Sequence, residues 1–159
     1  MAKTKTLDDL FLHGLKDIYY AEKQILKTLP KLAKKAPSEA LATAFLTHRD
    51  ETAGQLERLD KVFELLDRRA QGKTCEGIQG ILSEGDETVE EFEDSDVLEG
   101  AMIASAQAVE HYEIARYVGL KLWADKLGMA EAVKLLDQNL QEEIRTDKLL
   151  TTMAGGRAA

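Results

Sequence analysis

The stretch that decides the fold lies in the second half of the chain, at residues 110–147: EHYEIARYVGLKLWADKLGMAEAVKLLDQNLQEEIRTD. Apolar residues recur at three- and four-residue steps on both sides of Gly128, which is the period of an amphipathic helix. We therefore predict a helix from about Val97 to Lys126, a turn at Gly128 and a helix from about Ala130 to Met153. Acids interrupt both apolar seams near mid-helix: Glu110, Glu113 and Glu143.

The first half of the chain follows the same design. An apolar seam predicts a helix that begins after Thr6, its N-cap, and stops before Pro37, because a residue that precedes proline disfavours the helical region. Ser38 then caps a second predicted helix, from about Glu39 to about Arg69. Glu22 interrupts the first seam. The second seam has a polar gap formed by His48, Glu51 and Gln55.

The acids of the two hairpins are expected at one level. Residues equidistant from the turn of an antiparallel hairpin lie at the same height; positions 22 and 51 centre beside Pro37, and positions 113 and 143 centre on Gly128. The connection at about 70–95 is long enough to run the length of a bundle helix. Within it we expect short helices, near Ile78 to Leu82 and near Glu87 to Phe92.

These elements predict an all-α fold, a ferritin-like four-helix bundle with one long crossover that contains short helices. We expect a single helical domain at residues 1–154 and a flexible tail at 155–159.

Composition excludes several classes of function. The chain has 159 residues and a net charge of −8, which disfavours a surface built to bind nucleic acid. No apolar run approaches membrane-spanning length, and the N-terminal sequence lacks the features of a secretion signal. We therefore expect a cytoplasmic protein with neither nucleic acid nor membrane as a partner. The one cysteine, Cys75, allows no internal disulfide and no Cys-x-x-Cys metal motif.

Five acids at one level of a bundle core predict a metal site. A single acid on an apolar seam is more often at a solvated edge or in an ion pair. Several buried carboxylates together repel one another unless a polyvalent cation compensates their charges. Two divalent ions need bridging and terminal carboxylates, so we predict a dinuclear site for iron foremost, with manganese or zinc as alternatives. The predicted ligands are Glu22, Glu51, Glu110, Glu113 and Glu143.

The predicted ligand set departs from the usual ferritin-like pattern. Those sites carry a Glu-x-x-His motif on two of the helices. Here the third residue after Glu51 is Gly54, and the third after Glu143 is Thr146. Position 143 is preferred to the adjacent Glu142 because it lies on the apolar seam of its helix.

Four further polar residues are assigned supporting roles. We expect Gln55 and Asp147 to hydrogen-bond ligating carboxylates, with weak ligation as the alternative. Tyr117 either donates its hydroxyl to a carboxylate or packs in the core. His48, one turn from Glu51, is expected to contact another partner, with metal ligation as the alternative.

Five ordered blocks of this sequence resemble the YciE/YciF stress-protein family of ferritin-like bundles. They are DIYYAEKQ (17–24), HRDETAGQLERLDKV (48–62), KTCEGIQGIL (73–82), EHYEIARY (110–117) and QEEIRTDKL (141–149). The resemblance implies a four-helix bundle with extra short helical structure, a homodimer and a rubrerythrin-like dinuclear site in which Glu110 and Glu113 form a Glu-x-x-Glu motif. Some members are called ferroxidases by analogy with ferritins, so the resemblance leaves the reaction open.

Two hypotheses for function follow. In the first, a dinuclear iron or manganese site oxidises ferrous iron or reduces peroxide in a stress response, with dioxygen or peroxide as the small-molecule partner. In the second, the protein is a non-enzymatic bundle that holds a structural cation and acts through protein–protein contacts. The absence of the Glu-x-x-His motifs favours the second hypothesis, because a site made only of oxygen ligands is less suited to iron redox chemistry.

Overall fold

The structure, a computed structural model, describes residues 4–155, and this range is helical with no strands. Its five helices are α1 (Leu7–Lys35), α2 (Glu39–Leu65), α3 (Glu76–Glu91), α4 (Leu98–Lys126) and α5 (Ala130–Met153). The predicted all-α bundle is confirmed. None of these helices combines the length and apolar character needed to cross a membrane. Of the predicted tail, all but residue 155 lies outside the described residues.

Side-chain caps start the first two helices where the sequence predicted. At α1, the Thr6 hydroxyl accepts a hydrogen bond from the Asp9 backbone N–H (3.3 Å), and the Asp9 carboxylate accepts one from the Thr6 N–H (2.9 Å). This reciprocal capping box satisfies two amides that lack helical partners. At α2, the Ser38 hydroxyl accepts from the Leu41 N–H at 3.2 Å. Both predicted caps are therefore confirmed.

Helix α2 ends at Leu65, short of the predicted Arg69. Asp67 adopts a left-handed φ of 53°, and the N–H of Arg68 donates to the Phe63 carbonyl at 3.0 Å. This Schellman arrangement closes the helix before its apolar pattern stops. The predicted turn between α4 and α5 closes in the same way, with Gly128 at a φ of 71°.

The crossover contains one continuous helix, which corrects the expectation of two short ones. Glycines at 77, 80 and 85 disfavour a continuous helix, because each costs about 1 kcal/mol relative to alanine inside a helix. However, Ile78 and Val89 are both buried, and they lie on one face of a single helix. Packing of this face against α4 offsets the low helix propensity.

Contacts between the hairpins establish the single crossover. Gly14 of α1 faces Leu120 of α4, and farther along α1 Glu22 meets Tyr117, so these two helices are antiparallel. Helices α2 and α5 also pack on each other. Since α1–α2 and α4–α5 are hairpins, α3 has to carry the chain back along the bundle. The acids of the two hairpins therefore meet in the middle of the bundle.

Buried apolar side chains occupy the bundle on both sides of these acids. On α1, Phe11 and Leu15 precede Glu22 along the helix, and Ile25 and Leu29 follow it. Burial of such side chains supplies the main driving force for folding, at about 25 cal/mol per Å² of apolar surface. The acids are thus held inside an interior that excludes water from both directions.

Candidate metal centre

Polar side chains from α1, α2, α4 and α5 converge in the middle of the bundle. Each lies on the inward seam of its helix, at the three- and four-residue steps that also bury its apolar neighbours. The buried polar residues of this region include Glu22, His48, Gln55, Glu110, Glu113, Tyr117, Asn139 and Glu143. All of these are at most 4% exposed, so solvent does not hydrate their charges.

Four of these side chains form a compact group. His48, Glu110, Glu113 and Glu143 each offer one ligand atom, and these atoms lie within 4.8 Å of one another. His48 Nδ1 is 3.2 Å from Glu110 Oε1, and His48 Nε2 is 3.4 Å from Glu143 Oε2. An imidazole and three carboxylates at this spacing could hold a metal ion.

Two neutral side chains hold the carboxylates from behind. Tyr117 donates its hydroxyl to Glu22 Oε1, and the Gln55 amide donates to Glu143 Oε1. Each hydrogen bond occupies one carboxylate oxygen and leaves the second oxygen of that carboxylate free to bind something else. Tyr117 therefore makes the carboxylate contact that was one of its two expected roles.

Several buried oxygens in this group have no hydrogen-bond partner anywhere within residues 4–155. They are Glu22 Oε2, Gln55 Oε1, Glu110 Oε2, both carboxylate oxygens of Glu113, and Glu143 Oε2. Buried polar atoms in folded proteins are almost always satisfied, and an unsatisfied one costs about 1–3 kcal/mol. Such a concentration of unsatisfied acceptors is the arrangement expected around a cation.

The electrostatics of the group agree with this interpretation. Burial raises the pKa values of Glu22, Glu110 and Glu113 well above their usual range, and the negative charge of Glu143 raises them further. Burial alone would also raise the pKa of Glu143, but the surrounding side chains, His48 foremost, stabilise its charged form and hold the pKa below its usual value. The carboxylates of this group therefore cannot all be ionised at once unless a cation or protons compensate their charges.

Glu51 lies beside this group rather than within it. Its side chain is 29% exposed, and its carboxylate accepts from the Thr146 hydroxyl at 3.4 Å and lies 4.0 Å from Arg145. Burial raises the pKa of Glu51, and the charge of Glu142 adds to the effect, whereas His48 lowers it. Glu51 is therefore close enough for charges of the buried group to shift its pKa, while its carboxylate faces α5.

The remaining candidate acids of α5 separate into one fully buried position and two partly buried ones. Glu143 is buried in the group, whereas Glu142 forms an ion pair with Arg58 at 2.5 Å. Asp147, expected to support the ligands, instead accepts from Gln107 at 3.2 Å and lies 3.1 Å from His111. The structure thus places position 143, and not 142, beside His48.

Sequence reasoning missed one buried member, Asn139. Its amide donates to the Tyr117 hydroxyl oxygen at 3.0 Å and accepts from Arg58 at 2.5 Å. A signal was present, because Asn139 lies four residues before Glu143 and is therefore a polar residue on the same face of α5.

Comparison with known proteins assigns the chain to a family. Residues 6–159 match the family described as a domain of unknown function, DUF892, and the chain belongs to that family. Protein YciF of Escherichia coli K12 is 44% identical over 151 residues, which cover 94% of this chain and 91% of YciF. The expected resemblance to YciF-type stress proteins is thereby confirmed.

Solved structures support the same fold. YcfI from Rhodopseudomonas palustris, for which a structural role has been suggested, superposes with a TM-score of 0.91 at 48% identity, covering 93% of this chain and 94% of YcfI. The crystal structure of the E. coli stress protein YciF gives a TM-score of 0.86 at 42% identity, covering 95% and 96%. A protein from Xanthomonas campestris shares the fold at 21% identity, with a TM-score of 0.76 over 94% and 92%.

Proposed function

We propose that this DUF892-family protein binds two divalent metal ions, iron foremost, inside the bundle and uses them to oxidise ferrous iron or to reduce peroxide in a stress response. One observation carries the proposal: buried carboxylate oxygens without partners from α4 and α5 lie together with one imidazole of α2, within 4.8 Å of one another. A stress role is consistent with the relationship to the E. coli stress protein YciF.

The donor set fits iron, manganese or zinc. Carboxylate oxygen and imidazole nitrogen are ligands that these ions accept. His48 is important because the chain lacks both Glu-x-x-His motifs, and its imidazole supplies nitrogen from α2 instead. With His48 the site is no longer made only of oxygen ligands. The objection to iron redox chemistry is therefore weaker.

Six side chains are proposed to share two ions. His48, Glu110, Glu113 and Glu143 form the compact part of the site. Glu22 adds its unpartnered Oε2, and Glu51 completes the set from the exposed edge when it turns away from Arg145. We infer that Glu51 moves because its present contacts are weak: a 4.0 Å ion pair and a 3.4 Å hydrogen bond.

The protein's contribution is to fix ligand orientation and to exclude water. Tyr117 and Gln55 each hold one carboxylate oxygen, so that the second oxygen of Glu22 and of Glu143 faces the site. The apolar side chains on both sides keep the interior dry, which strengthens every charge interaction there. A redox-active ion held by these residues would supply the electrons for reduction of dioxygen or peroxide.

Metal content tests the binding part of the proposal. Protein purified without chelators and reconstituted anaerobically with ferrous iron or manganese is expected to hold about two ions per chain, measured by elemental analysis. Glu143→Gln, which removes a buried charge, is expected to lose most of this metal, whereas Glu57→Gln, on the exposed face of α2, is expected to keep it. Less than about one ion per chain in the wild type, or unchanged content in Glu143→Gln, would remove the proposal.

A second candidate is a single structural cation with no catalytic role. The observation that favours it is that only four ligand atoms within residues 4–155 lie within 4.8 Å of one another, which suits one ion. The loss of ferrous iron after exposure of the loaded protein to air or peroxide separates the candidates. Oxidation faster than in buffer supports the redox function. One ion per chain and oxidation at the buffer rate support the structural cation.

A further inference from the structure

We infer that Asn139 and Arg58 are positioning residues that direct the hydroxyl proton of Tyr117 onto Glu22 and thereby fix which oxygen Glu22 presents to a metal ion. The inference rests on the proposed metal-binding function. It concerns a series of hydrogen bonds in which each residue donates to the next. The series runs from an ion pair at the side of the bundle to the buried acids.

The first link fixes the orientation of the Asn139 amide. Arg58 is held by Glu142 through two hydrogen bonds, Nη2 to Oε1 at 2.5 Å and Nη1 to Oε2 at 2.9 Å. Its Nη1 also lies 2.5 Å from the Asn139 side chain. A guanidinium group only donates hydrogen bonds. The Asn139 atom that faces Arg58 is therefore the oxygen, and the amide nitrogen faces the opposite way.

The second link is consistent with that orientation. The Asn139 Nδ2 group lies 3.0 Å from the Tyr117 hydroxyl oxygen and 3.3 Å from the backbone carbonyl of Gln55. A backbone carbonyl can only accept, so it too requires a donor at this position. Two independent neighbours, Arg58 and the Gln55 carbonyl, thus assign Asn139 the same orientation.

The third link gives the series its direction. A tyrosine hydroxyl has one proton to donate. Because Asn139 donates to the Tyr117 oxygen, the Tyr117 proton points to its other neighbour, Glu22 Oε1. Glu22 Oε1 is thereby occupied, while Oε2 is buried without a partner. Glu22 is therefore set to bind a metal ion through one defined oxygen.

Asn139→Asp tests the direction with little change in shape. Aspartate keeps the acceptor for Arg58 but offers Tyr117 a second acceptor, so that the tyrosine proton can turn away from Glu22. We expect zinc affinity, measured by competition with a chromogenic chelator, to fall about tenfold or more, as is typical for loss of a group that orients a ligand. The added negative charge by itself would strengthen cation binding, so the sign of the change separates the two effects.

The Tyr117→Phe background supplies the control. Without the hydroxyl there is no proton to redirect, so Asn139→Asp is expected to weaken zinc binding in the wild type but not in Tyr117→Phe. Arg58→Met, which frees the Asn139 amide to rotate, is a second variant with a smaller expected loss. Thermal melting of each variant checks the fold.

The outcomes separate the inference from the proposed function. If the wild-type protein does not bind zinc, this inference fails, whereas the proposed function is judged by the iron and manganese reconstitution described above. If the wild type binds zinc but Asn139→Asp binds it equally well, or if Asn139→Asp weakens binding equally in both backgrounds, only the inference is overturned. Weaker binding in the wild-type background alone supports it.

Discussion

Raising the pH from 5 to 7 is expected to destabilise the metal-free protein, because its buried acids hold protons that the unfolded chain releases. The pKa values of Glu22, Glu110 and Glu113 are raised by burial above the 4.5 of an unperturbed glutamate. Their stabilising contribution is complete below pH 4.5 and is lost as the pH rises toward their folded-state pKa values. The pKa of Glu143 is lowered, so its ionised form stabilises the folded protein. That contribution is lost only as the pH falls below 4.5, outside the range tested.

The magnitude follows from proton linkage. Each acid that remains protonated in the folded state while ionised in the unfolded state lowers the free energy of unfolding by about 1.4 kcal/mol per pH unit. A loss of that size lowers the Tm of a chain of this length by about 3–6 °C for each pH unit over which the group stays protonated only in the folded state. Bound metal reverses the trend, because the ion displaces these protons and binds more tightly as the pH rises.

Thermal melting of chelator-treated protein at constant ionic strength measures the effect. Glu113→Gln is expected to show a shallower dependence on pH, because the variant lacks one of the titrating groups. Glu57→Gln removes an exposed acid and is expected to match the wild type. A Tm of the metal-free protein that stays constant or rises between pH 5 and 7 would refute the reasoning, as would equal slopes in Glu113→Gln and the wild type.

Three further predictions concern the fold and are checked by urea unfolding. Gly14→Ala would place a methyl group 3.0 Å from both Leu120 and Trp123, at a cost of about 1–3 kcal/mol, while the better helix propensity of alanine offsets about 1 kcal/mol. We therefore expect a net loss of up to about 2 kcal/mol; a stabilised variant would mean that these side chains yield freely. Asp67 has a left-handed backbone, which glycine adopts without strain. Asp67→Gly is therefore expected to stabilise the protein by roughly 0.5 kcal/mol, whereas Asp67→Ala is expected to destabilise it. A change of stability in the same direction for both variants would contradict this account. Thr6→Ala removes the capping box and is expected to cost about 1 kcal/mol, with no loss arguing that the helix end frays already.

Local signals made the bundle helices predictable from sequence. Thr6 and Ser38 mark helix starts, and Gly128 marks a turn that needs a positive φ. The seam of α5 also distinguished Glu143 from Glu142, because helical periodicity alone decides which of two adjacent residues faces inward. The length of the crossover then fixed the topology without reference to any long-range contact.

The rest depended on interactions between helices, which periodicity does not reveal. Glu51 and His48 are three residues apart on α2, yet His48 is buried between Glu110 and Glu143 while Glu51 lies toward Arg145. Two such neighbours on a helix differ little in direction, and the partners offered by α4 and α5 decide which one enters the core. Packing of α3 against α4 similarly overrode its glycines. Whether any of the five predicted glutamates ligates metal stays a prediction.

The single crossover would give an ion bound as proposed a role in holding the chain together. Residues 66–97 are the covalent connection between the two hairpins, and the candidate ligands come from both: Glu22 and His48 from one, Glu113 and Glu143 from the other. An ion at mid-height would act as a reversible cross-link. A protease that cut the irregular segment before α3 would leave two fragments held by their apolar contacts, and a bound ion would strengthen that association. Whether metal is bound would then affect how long the fragments of a cleaved molecule remain associated.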